Sequence, residues 1–260
     1  IGAISTEDAI MSNTTATTEH GRTENESTST GGTTERVDLP GSVVYELSGS
    51  VATLTIDRPE KRNALTFETL AGLHEGVRRA KVTRSVRALV ITGTGDKAFC
   101  AGGDLGGMTG GDAEVAHQGR GQLAALFREM WSAGIPSIAK VRGYALAGGM
   151  GLALACDIVI AADDAVFGTP EVTVGLWPYM ITVPLLQSMA PKDALRLMLT
   201  GRRVDAAEGV RLGFVTDLVE HENLDKAVAT LVEELAKAAP QAVSLGRTTF
   251  YSVLNHDVDV

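Results

Sequence analysis

The chain has 260 residues, 44% of them hydrophobic and 21% charged, enough for one globular domain with a sizeable core. Its net charge of −9 argues against a general nucleic-acid binder, which carries a basic footprint. The longest apolar stretch, Ala145–Cys156, is broken by glycines and falls short of the roughly eighteen residues a membrane span needs.

Residues 1–39 are rich in Thr, Ser, Glu, Asn and Gly. Such a stretch buries too little apolar surface to offset its ordering entropy, so composition predicts a disordered tail followed by one domain over 40–260. The N-terminus has no signal-peptide apolar core, and its acidic residues are wrong for a transit peptide; the expected location is the cytoplasm. Asn13-Thr14-Thr15 and Asn25-Glu26-Ser27 match the glycosylation pattern, but without an export signal they read as chance.

Val43–Leu47 and Val51–Ile56 alternate and predict a hairpin about Ser48-Gly49-Ser50. Thr66 is placed to cap a helix reaching Ala80, with Leu70, Leu73 and Val77 on one face. Ala88–Thr92 and Ser137–Val141 are short apolar runs that fit strands buried on both faces. A helix is expected near Glu114–Ser132, a short one over Gly149–Cys156, and a strand over Ile158–Ala161. Helices follow near Val183–Ala190, Lys192–Leu199, Ala206–Leu212 and Asn223–Ala238. Alternating strands and helices in the middle of the chain give an α/β class.

Two glycine-rich turns carry the chemistry. The first is Ala101-Gly102-Gly103-Asp104-Leu105, and the second is Ala147-Gly148-Gly149. Glycine lets backbone approach a ligand closely, and two such turns can aim two N–H groups at one oxygen. Glu171, in Phe167-Gly168-Thr169-Pro170-Glu171, supplies a carboxylate for acid/base work. Trp177 lies close enough to Glu171 in sequence to line a pocket. The bland reading of these glycines is tight turns and close packing, and a glutamate after proline is often a solvated loop residue.

Rival motifs fare worse. Gly93-Thr94-Gly95-Asp96-Lys97-Ala98 fits a dinucleotide fingerprint, but the glycines that follow oppose the helix it needs. His74-Glu75 and His221-Glu222 lack the second histidine of a zinc motif, so no metal is expected. Cys100 and Cys156 sit in apolar or glycine-rich runs and read as buried thiols, not a disulfide framework.

In order and spacing, several motifs resemble the enoyl-CoA hydratase/isomerase, or crotonase, superfamily. They are Asp57-Arg58-Pro59-Glu60-Lys61-Arg62-Asn63-Ala64-Leu65, Ala98–Leu105, Gly143–Gly149, Cys156-Asp157-Ile158, Phe167–Glu171 and Leu199-Thr200-Gly201. The resemblance implies a spiral of ββα units with C-terminal helices that binds acyl-CoA and assembles as trimers or hexamers. It implies oxyanion donors at the Gly103 and Gly148 N–H groups and an acid/base role for Glu171. Lys61, Arg62, Asn63, Ala64 and Leu65 would cradle coenzyme A. Ala101, Gly102, Asp104, Leu105, Gly149, Trp177 and Tyr179 complete the implied substrate-binding set, Tyr179 as a hydrogen-bond donor. No separate cofactor is implied, since coenzyme A is part of the substrate.

Two departures stand out. Hydratases of this family carry two glutamates, and the first aligns with Gly151, which tilts the expected chemistry toward double-bond isomerisation over hydration. The family pattern also continues with further helices beyond Ser244–Leu254, so the domain is expected to lack its last ones. These departures keep a second hypothesis open, a non-catalytic acyl-CoA-binding or assembly subunit of the same fold.

Overall fold

The computed structural model describes residues 34–104 and 113–254, all within one unit, Gly32–Val260. Its order begins earlier than composition suggests. A strand, β1 (Glu35–Leu39), pairs antiparallel with β2 (Val43–Ser48), which turns into β3 (Val51–Ile56). β1 falls inside the stretch expected to be disordered. Its side chains are largely exposed, so apolar content gives no sign of it; the paired edge of β2 orders it. The rest of the expected tail, residues 1–33, lies outside the described residues.

From β3 the sheet becomes parallel, and its full order is β1-β2-β3-β4-β6-β8-β11. The central strands are β4 (Ala88–Gly93), β6 (Ser137–Val141) and β8 (Ile158–Ala162). Their near-continuous apolar sequences follow from having both faces covered. Leu89, Ile91, Ala139, Val141, Val159 and Ala161 join the large core, where α1 (Phe67–Val82) and α2 (Ala113–Trp131) pack. Ala88, Val90, Ile138, Ile160 and Ala162 point the other way, onto Leu224, Val228 and Val232. α1 starts as expected: the Thr66 hydroxyl accepts the Thr69 N–H at 3.1 Å.

A second sheet, β10-β9-β7-β5, was not foreseen. Its members are β5 (Ala98–Cys100), β7 (Tyr144–Leu146), β9 (Val166–Gly168) and β10 (Arg203–Asp205). Each has three residues, too short for a periodicity to register. Both glycine turns leave from this sheet, the first after β5 and the second after β7. The second opens α3 (Gly148–Leu154).

The remaining helices are α4 (Thr182–Ser188), α5 (Pro191–Thr200), α6 (Ala206–Leu212), α7 (Leu224–Lys237) and α8 (Pro240–Val253), and β11 (Asp217–Val219) closes the large sheet. Polar groups as well as apolar ones anchor α8. The Arg247 Nε–H donates to Asp157 Oδ2 at 2.8 Å, and the Tyr251 hydroxyl donates to Oδ1 at 2.6 Å. The Tyr251 ring stacks on Trp131 with centroids 5.7 Å apart. Asp157 is therefore a fastener for α8. Among the described residues, no helix is long and apolar enough to cross a membrane.

Candidate active site

The first glycine turn is laced to the segment before α1. Leu65 bridges Gly103: its N–H donates to the Gly102 carbonyl, and its carbonyl accepts from the Asp104 N–H, both at 2.8 Å. In such a bridge the middle residue points its own N–H the other way. The Gly103 N–H therefore faces away from Leu65. The Ala101 N–H donates to the Arg62 carbonyl at 3.0 Å, so Arg62–Leu65 and Ala101–Asp104 form one patch.

The second turn lies against the first. Gly102 has φ +98°, and a Cβ there would stand 2.7 Å from Ala147 Cβ and 3.4 Å from the Gly148 nitrogen. A Cβ on Gly148 would lie 3.9 Å from the Gly103 nitrogen. The two donors named from the sequence thus come together. Gly148 is the first residue of α3, so its N–H has no acceptor within the helix. Ala147 holds φ 51° and ψ −127°, a sparsely populated conformation costing about 1–3 kcal/mol in a non-glycine residue. Its N–H donates to the Gly168 carbonyl at 2.8 Å, which ties the turn to β9.

Glu171 follows Gly168 by three residues, in the tight turn Pro170–Val174. Its Oε2 is shut off from solvent and has no hydrogen-bond partner. Burial raises its carboxyl above the usual glutamate value, and its own backbone N–H works more weakly the other way. Two neighbouring backbone N–H groups can hold the negative charge that grows on a carbonyl oxygen, and a partly desolvated carboxylate can take a proton from the adjacent carbon.

Several predicted side chains have other duties. Asn63 is 0% exposed. Its Oδ1 accepts the Arg58 N–H, and its Nδ2 donates to the carbonyls of Thr94 and Ala98, at 3.0 and 2.7 Å. Its side chain is scaffold, not ligand. Asn63→Ala should destabilise the fold by about 2–3 kcal/mol, because it strips partners from buried groups; urea melts check this. Asp104 pairs with Arg58 Nη2 at 3.2 Å and holds the turn. Arg58 also donates to the Ala64 carbonyl, so it joins both halves of the patch. The sequence reading quoted Arg58 but gave it no role, since nothing local signals a partner forty-six residues away.

Gly149 is a packing position. A Cβ there would stand 2.1 Å from the Cys100 carbonyl oxygen. Tyr179 is 71% exposed, so its hydroxyl is not enclosed in a pocket as expected. Trp177 is half-buried and packs on the core. Lys61 and Arg62 are exposed, while Leu65 is buried beside Gly148. Leu105 lies outside the described residues. Cys100 is buried, and loss of solvation pushes its thiol up to about 12, which leaves it unreactive.

Gly151 shows why a second carboxylate is missing. A Cβ there would meet Ile181 Cγ2 at 2.1 Å and Phe127 Cζ at 3.3 Å. Apolar groups fill that space. A cavity of about 210 Å³, lined in part by Trp131, Asp157, Phe214 and Tyr251, opens elsewhere and touches none of the predicted site residues.

Known proteins resemble this chain in sequence and fold. The family model described as Enoyl-CoA hydratase/isomerase matches residues 46–258. The (E)-benzylidenesuccinyl-CoA hydratase of Thauera aromatica is 35% identical over 219 residues, covering 83% of this chain and 84% of that protein. The carnitinyl-CoA dehydratase of Proteus mirabilis (strain HI4320) is 38% identical over 197 residues, covering 75% of each. Among solved structures, the enoyl-CoA hydratase of Mycobacterium smegmatis superposes with a TM-score of 0.81 at 31% identity, covering 84% of this chain and 85% of that one. The chain belongs to the enoyl-CoA hydratase/isomerase family.

Proposed function

We propose that the enzyme moves a proton next to the carbonyl of an acyl-CoA thioester, with Glu171 as acid/base and the Gly103 and Gly148 N–H groups as oxyanion donors. The observation that carries this reading is the Glu171 carboxylate, with Oε2 buried and unpartnered, in the turn after Gly168, whose carbonyl holds the second of two adjoining glycine turns. Glu171 takes the α-proton, and the C–H electron pair moves into the thioester to give an enolate. One carboxylate can then return the proton at another carbon, which shifts a double bond. The Ile181 and Phe127 side chains at Gly151 favour this isomerisation, because they leave an apolar wall where a second acid/base group would stand.

Hydration is the second reading, favoured by the names of the relatives, which are hydratases and dehydratases. Those names also favour an enzyme over a binding subunit of the same fold. The deciding assay follows loss of conjugated-thioester absorbance when a short 2-enoyl-CoA is added. Glu171-dependent loss supports hydration. No loss, together with a gain of absorbance from a 3-enoyl-CoA, supports isomerisation. Turnover of neither substrate would overturn both.

The exposed Lys61 and Arg62 suit the phosphates of coenzyme A. We further propose a homo-trimer or hexamer in the cytoplasm. The exposed Leu176, Tyr179, Val183, Leu186 and Leu199 support assembly, and sedimentation tests it.

A further inference from the structure

Six polar or charged side chains are buried among the described residues: Asn63, Thr69, Thr92, Ser137, Thr169 and Arg247. Five have partners. Asn63 holds two carbonyls, Thr69 donates to Gly41, Thr92 to Lys140, Ser137 pairs with Asp157, and Arg247 binds Asp157 and Trp131. Thr169 has none. It is 0% exposed, yet its Oγ1 touches no hydrogen-bonding group. It stands at the head of the Pro170–Val174 turn, but its hydroxyl does not cap that turn.

A buried hydroxyl without a partner costs stability, and an apolar residue of the same shape removes that cost. A site that keeps such a group calls for a missing partner, most simply an ordered water. Another such atom lies two residues on: Glu171 Oε2 is also sealed from solvent and unpaired. No direct hydrogen bond joins the two oxygens. Both sit just after Gly168, whose carbonyl holds the second glycine turn through the Ala147 N–H. A water needs two or more polar partners, and these two oxygens supply them: the carboxylate accepts, and the hydroxyl donates or accepts.

We propose that Thr169 is a positioning residue: its hydroxyl and Glu171 Oε2 share one buried water, and that water holds the Glu171 carboxylate in its working orientation. This inference rests on Glu171 being the acid/base, as argued above. The water's hydrogen bond stabilises the ionised carboxylate, so it counteracts part of the burial penalty on that form.

The test measures exchange of the α-protons of butyryl-CoA in D2O, a step common to isomerisation and hydration. Wild type, Thr169→Val, Thr169→Ser and Glu171→Gln are compared. Thr169→Val should still fold cooperatively, yet exchange roughly ten- to hundredfold more slowly, since a misplaced catalytic group loses rate on that scale. The half-maximal point on the acid side of its pH profile should move upward, because the ionised carboxylate loses a stabilising hydrogen bond. Thr169→Ser should restore both rate and profile.

A Thr169→Val variant that is more stable, with wild-type rate and profile, would overturn the inference. So would equal loss in Val and Ser, which would signal a purely steric role. Glu171→Gln separates the two levels of the argument: normal exchange in that variant sinks the acid/base reading itself, whereas a dead Glu171→Gln beside a normal Thr169→Val sinks only the role of Thr169. A high-resolution crystal structure of the wild-type protein gives an independent check. A water within hydrogen-bonding distance of both Thr169 Oγ1 and Glu171 Oε2 is expected, and its absence overturns the inference.

Discussion

Replacing Glu171 with Gln should lower turnover by about 10²–10⁴-fold, the usual contribution of a positioned acid/base group, and leave CoA-ester binding almost unchanged. Gln keeps the shape and fills the same half-buried space, so lost packing cannot explain a loss of rate. The same substitution should raise stability, and the pH dependence of that gain identifies its cause. Burial lifts the Glu171 carboxyl above its ordinary value of 4.5. A group whose folded value is raised keeps its full contribution to stability below the unfolded value. It loses that contribution as pH climbs through the folded one. The wild-type protein therefore loses stability above the ordinary carboxylate range, and the Gln variant does not. The gain in melting temperature should be small near pH 4 and grow toward pH 7, where the wild-type carboxylate is ionised. A gain that is flat with pH would point to packing instead. Turnover at the wild-type rate would remove Glu171 from the mechanism.

The second large effect is expected at Gly148. A methyl group there meets Leu123 Cδ2 at 3.3 Å and Leu65 Cδ1 at 3.6 Å, both at the ends of flexible side chains. Gly148→Ala should therefore fold. Its methyl, however, stands 3.9 Å from the Gly103 nitrogen, close to both donors. It should crowd an oxygen held by both N–H groups. Losing one such donor typically costs roughly 2.7–4 kcal/mol of transition-state stabilisation, so kcat should fall about 10²–10³-fold with the melting temperature nearly unchanged. Gly149→Ala is the control with the opposite outcome. Its methyl would press on the Cys100 backbone at 2.1 Å, and rigid backbone cannot yield. That variant should lose stability first. Equal stability and equal activity loss in both variants would argue that these glycines serve packing alone.

Much of the frame was legible in the chain itself. Ala88–Thr92 and Ser137–Val141 read as buried strands because a strand covered on both faces needs apolar residues throughout, and both are central strands of the large sheet. Thr66 marked the start of α1 because an orphan N–H needs a local acceptor. The glycine turns and Glu171 were visible because their chemistry is carried by residue type and short spacing. Tertiary structure decided the rest, because the remaining features depend on residues far apart in the chain. The three-residue strands β5, β7, β9 and β10 exist through their partners, not through a pattern of their own. Asn63 looked like a ligand until Thr94 and Ala98 claimed its amide, and Tyr179 looked like a pocket donor, yet the fold of the single chain leaves it exposed. Thr169 carries no local mark at all. Its importance comes from burial without a partner, and burial is a property of the folded chain alone.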